Sequence, residues 1–157
     1  MTSAGFSLRA YEQRDLPAIE DFWVAAWMAT GFAIDFYARL PWLRAHLNKL
    51  AADGVEIVVG LDAEGRPAGF VTIDPKTGHL DQLCVAPSSQ GGGLARALLD
   101  EAKRRSPGRI HLDVNEDNVR ACRFYEREGF AVVGRGKSEM SGLPVRRLAW
   151  RGTNLQK

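Results

Sequence analysis

The sequence predicts an α+β protein with the element order βααβββαβαββ, and three observations carry that expectation. Two stretches near the N-terminus place apolar residues at helical spacing. The middle of the chain reads as three β-type runs separated by turns. The later part alternates strand and helix around a glycine-rich junction, as a β-α-β crossover does. The 157 residues suit a single domain over 1–157, long enough to bury about two-thirds of its unfolded surface.

Taken in order, Phe6–Tyr11 alternates apolar and polar residues as a short strand does. Asp15 reads as an N-cap, with Pro17 in the first turn and Leu16, Ile19, Trp23 and Ala26 at helical spacing. Gly31 ends that helix, and a second helical stretch runs from Asp35 to Ala51. Val55–Leu61 and Ala68–Asp74 flank a hairpin loop at 62–66, and His79–Ala86 adds a third strand to an antiparallel meander. A helix follows Gly93, with Lys103, Arg104 and Arg105 in its last turn, where cations suit the helix dipole. Arg109–Val114 is a strand, Asn118–Glu128 a helix capped by Gly129, and Phe130–Gly134 with Val145–Trp150 a final strand pair.

Composition removes several classes of function. Lys plus Arg is 21 against 19 for Asp plus Glu, a net charge of +2, so nothing marks a polyanion or nucleic-acid binder. The uncharged apolar stretch Phe22–Ile34 is shorter than the ~20 residues of a membrane span. No basic region followed by an apolar run opens the chain, so no secretory leader is expected. Two cysteines, Cys84 and Cys122, suit a reducing cytoplasm better than a disulfide framework. With His46, His79 and His111 far apart in sequence, no metal site is expected.

The segment Leu83–Leu99 holds the strongest functional signal. Gly91, Gly92 and Gly93 at a strand-to-helix junction let backbone approach a ligand closely. The free N–H groups and dipole of the following helix favour a phosphate or pyrophosphate there. A nucleotide-triphosphate loop would need Gly-Lys-Ser/Thr, but Gly93 is followed by Leu94 and Ala95. A dinucleotide fingerprint could use Gly91 and Gly93, yet puts Arg96 where close helix–strand packing wants glycine. That oxidoreductase reading stays as a rival.

The loop Gln90-Gly-Gly-Gly93-Leu-Ala95 and the later run Asn115-x-x-Asn118-x-x-Ala121-x-x-Phe124-Tyr125-x-x-x-Gly129-Phe130 resemble the GNAT superfamily of acyl-CoA-dependent N-acyltransferases. The resemblance spans about Val55–Trp150 and is strongest from Asp81 to Phe130. It implies a mixed, mostly antiparallel central sheet flanked by helices, with an acyl-CoA cleft between two splayed strands, Leu80–Ala86 and Arg109–Val114. It also implies acetyl-CoA as cosubstrate, with pyrophosphate on the backbone from Gly91 to Ala95, Leu94 included. The thioester arm would pair along Leu83, Cys84 and Val85. Asn118, Ala121, Cys122 and Tyr125 share one helical stripe, and their seven-residue span rises ~10.5 Å, enough to follow part of that arm. Phe124 falls off the stripe and is expected in the core with Phe130.

Direct acyl transfer needs proton removal from the amine, a donor for the oxyanion and help for the departing thiolate. A backbone N–H near Val85 is the expected oxyanion donor, and Tyr125 the acid that assists the sulfur. Asp81 stands where family members place a glutamate base; read by itself it is equally an edge-strand carboxylate. His79 is a second candidate base. Cys84 has no obvious histidine to activate it, so a thiol nucleophile is not expected, and Cys84 or Cys122 should line the cofactor groove. Trp27, Phe32 and Asp35, with Phe36, Tyr37 and Trp42, would wall an acceptor site for a cationic or apolar amine. Aromatic residues at helical spacing are more usually core, or part of a homodimer face. A noncatalytic acyl-CoA sensor is the other alternative to the enzyme.

Overall fold

The computed structural model describes residues 5–139 and 141–152, so the ends of the stretch read above as one domain lie outside the described residues. Among the described residues, seven strands form two sheets rather than one. In the first, β1 (Ser7–Ala10), β2 (Glu56–Leu61), β3 (Pro67–Ile73) and β4 (Leu80–Val85) are antiparallel neighbours in that order. In the second, β7 (Pro144–Arg151) lies between β5 (Arg109–Asn115) and β6 (Ala131–Lys137), again antiparallel. Helices α1 (Leu16–Met28) and α2 (Leu40–Ala52) precede β2; α3 (Leu94–Arg105) follows β4, and α4 (Val119–Arg127) follows β5.

The first sheet is covered on both faces, which is why its strands read as nearly continuous apolar runs. Ile57, Val59 and Phe70 pack with Ile19, Trp23, Leu43 and Leu47 of α1 and α2. The alternate residues Val58, Val71 and Ile73 pack with Leu94, Leu98, Leu99 and Ala102 of α3. That second cluster continues through Ile110, Leu112 and Leu148, so one core joins the two sheets. Gly60 and Gly69 face each other across β2 and β3. A Cβ on Gly60 would lie 2.6 Å from Leu94 Cδ1, and one on Gly69 would lie 3.0 Å from the Cys84 carbonyl. The glycine pair is the notch that lets the first turn of α3 lie close on the sheet.

Three expectations change in detail. Asp15 holds the N-cap position of α1, as expected, but makes no side-chain cap: its backbone is helical, and its carboxylate accepts instead from Arg9 at 2.7 and 2.8 Å and from the Glu12 N–H at 2.8 Å. The second helix starts at Leu40 rather than Asp35, with Pro41 in its first turn. Asp35 instead closes a local turn by accepting from the Ala38 N–H at 3.2 Å. Strand β6 runs on to Lys137, because Gly134 and Gly136 keep pairing with β7 despite their weak strand preference.

Candidate active site

Strands β4 and β5 are the facing edges of the two sheets. They meet at one point, a parallel bridge between His79 and His111, backed by a 2.9 Å bond from the His111 N–H to the Gly78 carbonyl. Gly78 has φ +82°, and a Cβ there would lie 2.6 Å from the Arg109 carbonyl oxygen. Beyond this apex the edges diverge into a cavity of about 590 Å³, lined on the β4 side by Asp81, Leu83, Cys84 and Val85. A second cavity of about 440 Å³ lies under the glycine loop, lined by Gly91, Gly93, Ala95 and Arg96. Leu83, Val85, Gln90, Arg120, Ala121 and Tyr125 line both, so the two form one trough.

At the loop end, Gly91 and Gly93 take φ +83° and +90°, and a Cβ on Gly91 would meet nothing. Gly93 is the N-cap of α3 and offers no side-chain cap. The first intrahelical bond shown there runs from Ala97 N–H to the Gly93 carbonyl, leaving the opening amides to face an anion. Leu94, expected among the cofactor contacts, lines neither cavity, and its side chain is buried in the core. Gly92 lines neither cavity. Gln90 is tied on both sides: its Nε2 donates to the Val85 carbonyl at 3.4 Å, and its Oε1 accepts from Arg120 at 2.5 Å.

The other wall comes from β5 and α4. Asn118 lines the larger cavity while capping α4, its Oδ1 accepting from the Ala121 N–H at 3.2 Å. Asn115 is 6% exposed, lines the same cavity, and its Oδ1 has no hydrogen-bond partner among the described residues. Tyr125 is 7% exposed, with ring centroids 5.2 and 5.3 Å from Phe124 and Phe130. Burial, with a smaller contribution from Cys84, pushes its hydroxyl well above the ordinary tyrosine value, so it stays protonated. Phe124 packs against the core that holds Phe130, as expected, and its half-buried ring also lines the smaller cavity beside Tyr125. Of the two cysteines, Cys84 lines the larger cavity, while Cys122 turns inward and its Sγ lies 3.7 Å from the Asn115 carbonyl. Burial pushes the Cys84 thiol up to about 12, so it is not a nucleophile at neutral pH.

Asp81 owes its direction to a bulge. Thr72, fully buried, stands opposite both Asp81 and Gln82, and its Oγ1 accepts from their N–H groups at 3.2 and 2.9 Å. The Asp81 carboxylate then meets His46 of α2, with Nε2 to Oδ2 at 2.6 Å. Burial works to raise the Asp81 pKa, but the hydrogen bond and charge of His46, with His79 and Gln82, outweigh it and hold the carboxyl below its ordinary value. His79 stacks on His111 at 5.0 Å at the apex.

The aromatic wall is only partly at the site. Trp27 and Trp42 line the cavity. Phe32 packs behind Trp27 at 6.2 Å, Phe36 is core at 1% exposed, and neither Phe32 nor Asp35 lines the cavity. Sequence reasoning missed His46, which sits 35 positions from Asp81, and the Lys137, Glu139 and Arg147 end of the cavity. A sequence cue for His46 existed only as its i+4 spacing from Trp42 on α2, and the two rings do stack at 4.5 Å.

The site is thus a trough between splayed sheet edges in a mixed α+β fold, with an uncapped, glycine-opened helix at one end. The dinucleotide alternative would need a parallel doubly wound sheet, and both sheets are antiparallel. The model of the acetyltransferase (GNAT) family matches residues 16–130, and the chain belongs to that family of acetyl-CoA-using N-acetyltransferases. It is 32% identical over 104 residues to the peptidyl-lysine N-acetyltransferase YjaB of Salmonella typhimurium, covering 64% of this chain and 70% of that one. The peptidyl-lysine N-acetyltransferase YiaC of Escherichia coli is 25% identical over 91% of this chain and 95% of its own. The fold is similar to the Vibrio cholerae spermidine N-acetyltransferase solved with CoA and spermine, with TM-score 0.74 and 25% identity over 99% of this chain and 100% of that one. Among the described residues, no helix is long and apolar enough to cross a membrane.

Proposed function

We propose that the protein moves an acetyl group from acetyl-CoA to a primary amine by direct attack, without a covalent enzyme intermediate. The observation that carries this reading is the continuous trough, which runs from the open amides of α3 along the free edge of β4 to the protonated Tyr125. The amides from Gly91 to Ala95 hold the pyrophosphate, with Arg96 and Arg120 nearby to balance its charge. The backbone of Leu83, Cys84 and Val85 pairs with the pantetheine amides as an added strand would. Asn115 and Asn118 present amide groups to the same cleft.

At the reacting end a β4 backbone N–H near Val85 stabilises the oxyanion, and Tyr125 gives its proton to the departing sulfur. Trp27 and Trp42 flank the acceptor, and the carboxylate of Asp81 favours a cationic amine over a neutral one. A lysine side chain or a polyamine fits that chemistry, in keeping with the peptidyl-lysine and spermidine enzymes that the chain resembles.

The test is release of free CoA thiol from acetyl-CoA across a panel of lysine peptides, polyamines, amino acids and aminoglycosides. The expected result is amine-dependent turnover with at least one member. Acetyl-CoA binding without turnover on any of them would replace the enzyme with a sensor.

A further inference from the structure

We propose that His46, oriented by Asp81, is the group that takes the proton from the acceptor ammonium. This rests on the acetyl-transfer reading above and changes the role of Asp81 from base to positioning residue.

Three observations carry it. His46 and Asp81 both line the acceptor end of the trough, and the Nε2–Oδ2 separation of 2.6 Å commits the Nε2 proton to the carboxylate. Nδ1, which has no hydrogen-bond partner among the described residues, is then the unprotonated nitrogen of the neutral ring. The ring is fixed from one face by Trp42, stacked at 4.5 Å and 14°, and Asp81 is fixed by the Thr72 bulge. A side chain locked on both sides is preorganised in the way a general base needs to be, whereas a lone surface histidine is not. Asp81 by itself is the poorer base, because its lowered pKa leaves it weakly basic at neutral pH.

The other charged or titratable groups lining this cavity are His79 just before β4, Cys84 of β4, Asp113 paired with Arg147 at 3.5 Å, Arg120 and Tyr125 of α4, Lys137 at the end of β6, and Glu139 just beyond it. None of these forms a comparable pair with an imidazole.

The proton balance closes with these groups. The ammonium gives one proton to His46 Nδ1, and its nitrogen pair forms the C–N bond. The C–S bond then breaks, and Tyr125 protonates the thiolate. The nitrogen loses its second proton as the amide forms, which restores Tyr125, and His46 releases its own proton to water.

The experiment compares wild type with His46→Gln, which keeps a hydrogen-bond donor for Asp81, and with Asp81→Asn. It uses the best amine of the panel from about pH 6.5 to about pH 9.5. Circular dichroism and the acetyl-CoA KM establish that each variant is folded and loaded. The expected loss in kcat/KM for His46→Gln is about 100- to 1,000-fold near pH 7, shrinking as pH rises and the amine deprotonates without help. Asp81→Asn loses less and follows the same pH trend. A purely structural role would give a loss constant with pH, and that result overturns the proposal. So does a loss under about twofold, or the same pH pattern in His79→Gln instead of His46→Gln. Wild type inactive on every amine takes down the acetyl-transfer reading itself, and the proposal with it.

Discussion

Replacing Gly78 by alanine probes the apex where backbone bonding bridges the two sheets. The residue has φ +82°, and a left-handed backbone costs an L-residue roughly 1–2 kcal/mol. Its new Cβ would also sit 2.6 Å from the Arg109 carbonyl oxygen, a backbone atom that cannot swing away. Forcing a methyl into such a gap costs roughly 1–3 kcal/mol more, while reduced freedom of the unfolded chain returns about 0.5 kcal/mol. The net loss is about 3 kcal/mol, which for a chain of this size lowers Tm by about 10 °C. Gly65→Ala is the matched reference, because Gly65 has φ +80° with nothing within 4 Å of the added carbon. It should lose about 1 kcal/mol, and the difference between the two variants isolates the contact. Thermal and urea unfolding followed by circular dichroism measure both. Equal losses in the two variants would refute the claim that close approach, rather than backbone conformation, fixes the apex.

Tyr125→Phe should lower kcat with acetyl-CoA about 100-fold or more while leaving its KM within about twofold, measured by thiol release at neutral pH. Unchanged kcat would remove Tyr125 from the departure of the sulfur. Asp15→Asn should destabilise by about 2 kcal/mol near pH 7, since it leaves Arg9 facing a neutral partner beside a nearly buried site. The Arg9 hydrogen bond lowers the Asp15 pKa against the effect of burial, with the Glu12 N–H and the charges of Arg9 and Arg14 adding to it. The contribution is therefore present above the ordinary aspartate value of about 3.9 and lost as pH falls toward the lower folded value. Urea titrations should show the gap between wild type and variant closing in acid; a constant gap down to about pH 2.5 would contradict the linkage.

What the sequence made legible follows from how local each signal is. The glycine loop and the Asn118–Tyr125 stripe could be read because a helix start and a helical stripe are set within a few residues. The N-cap position of Asp15 could be read for the same reason, but not its missing cap bond, because its carboxylate is claimed by Arg9, a strand residue outside the helix. Phe32 and Asp35 were placed at the site by proximity in sequence to Trp27, but the 3-10 turn at Tyr37–Arg39 and the late start of α2 carry them away from the cavity. His46 was invisible because its partner comes from a strand that reaches α2 only through the tertiary fold. The bulge that aims Asp81 was equally hidden, since it exists only in the pairing of β3 with β4.

The Gly60–Gly69 notch has a consequence reaching beyond packing. Leu94 is pegged into the floor of the sheet at the very turn whose amides open toward the trough. The depth at which those amides sit is therefore inherited from two strand positions that line neither cavity. On the proposed reading, affinity for the phosphate end is then set partly by the β2–β3 hairpin, and any side chain gained there would lift the anion seat away from the arm.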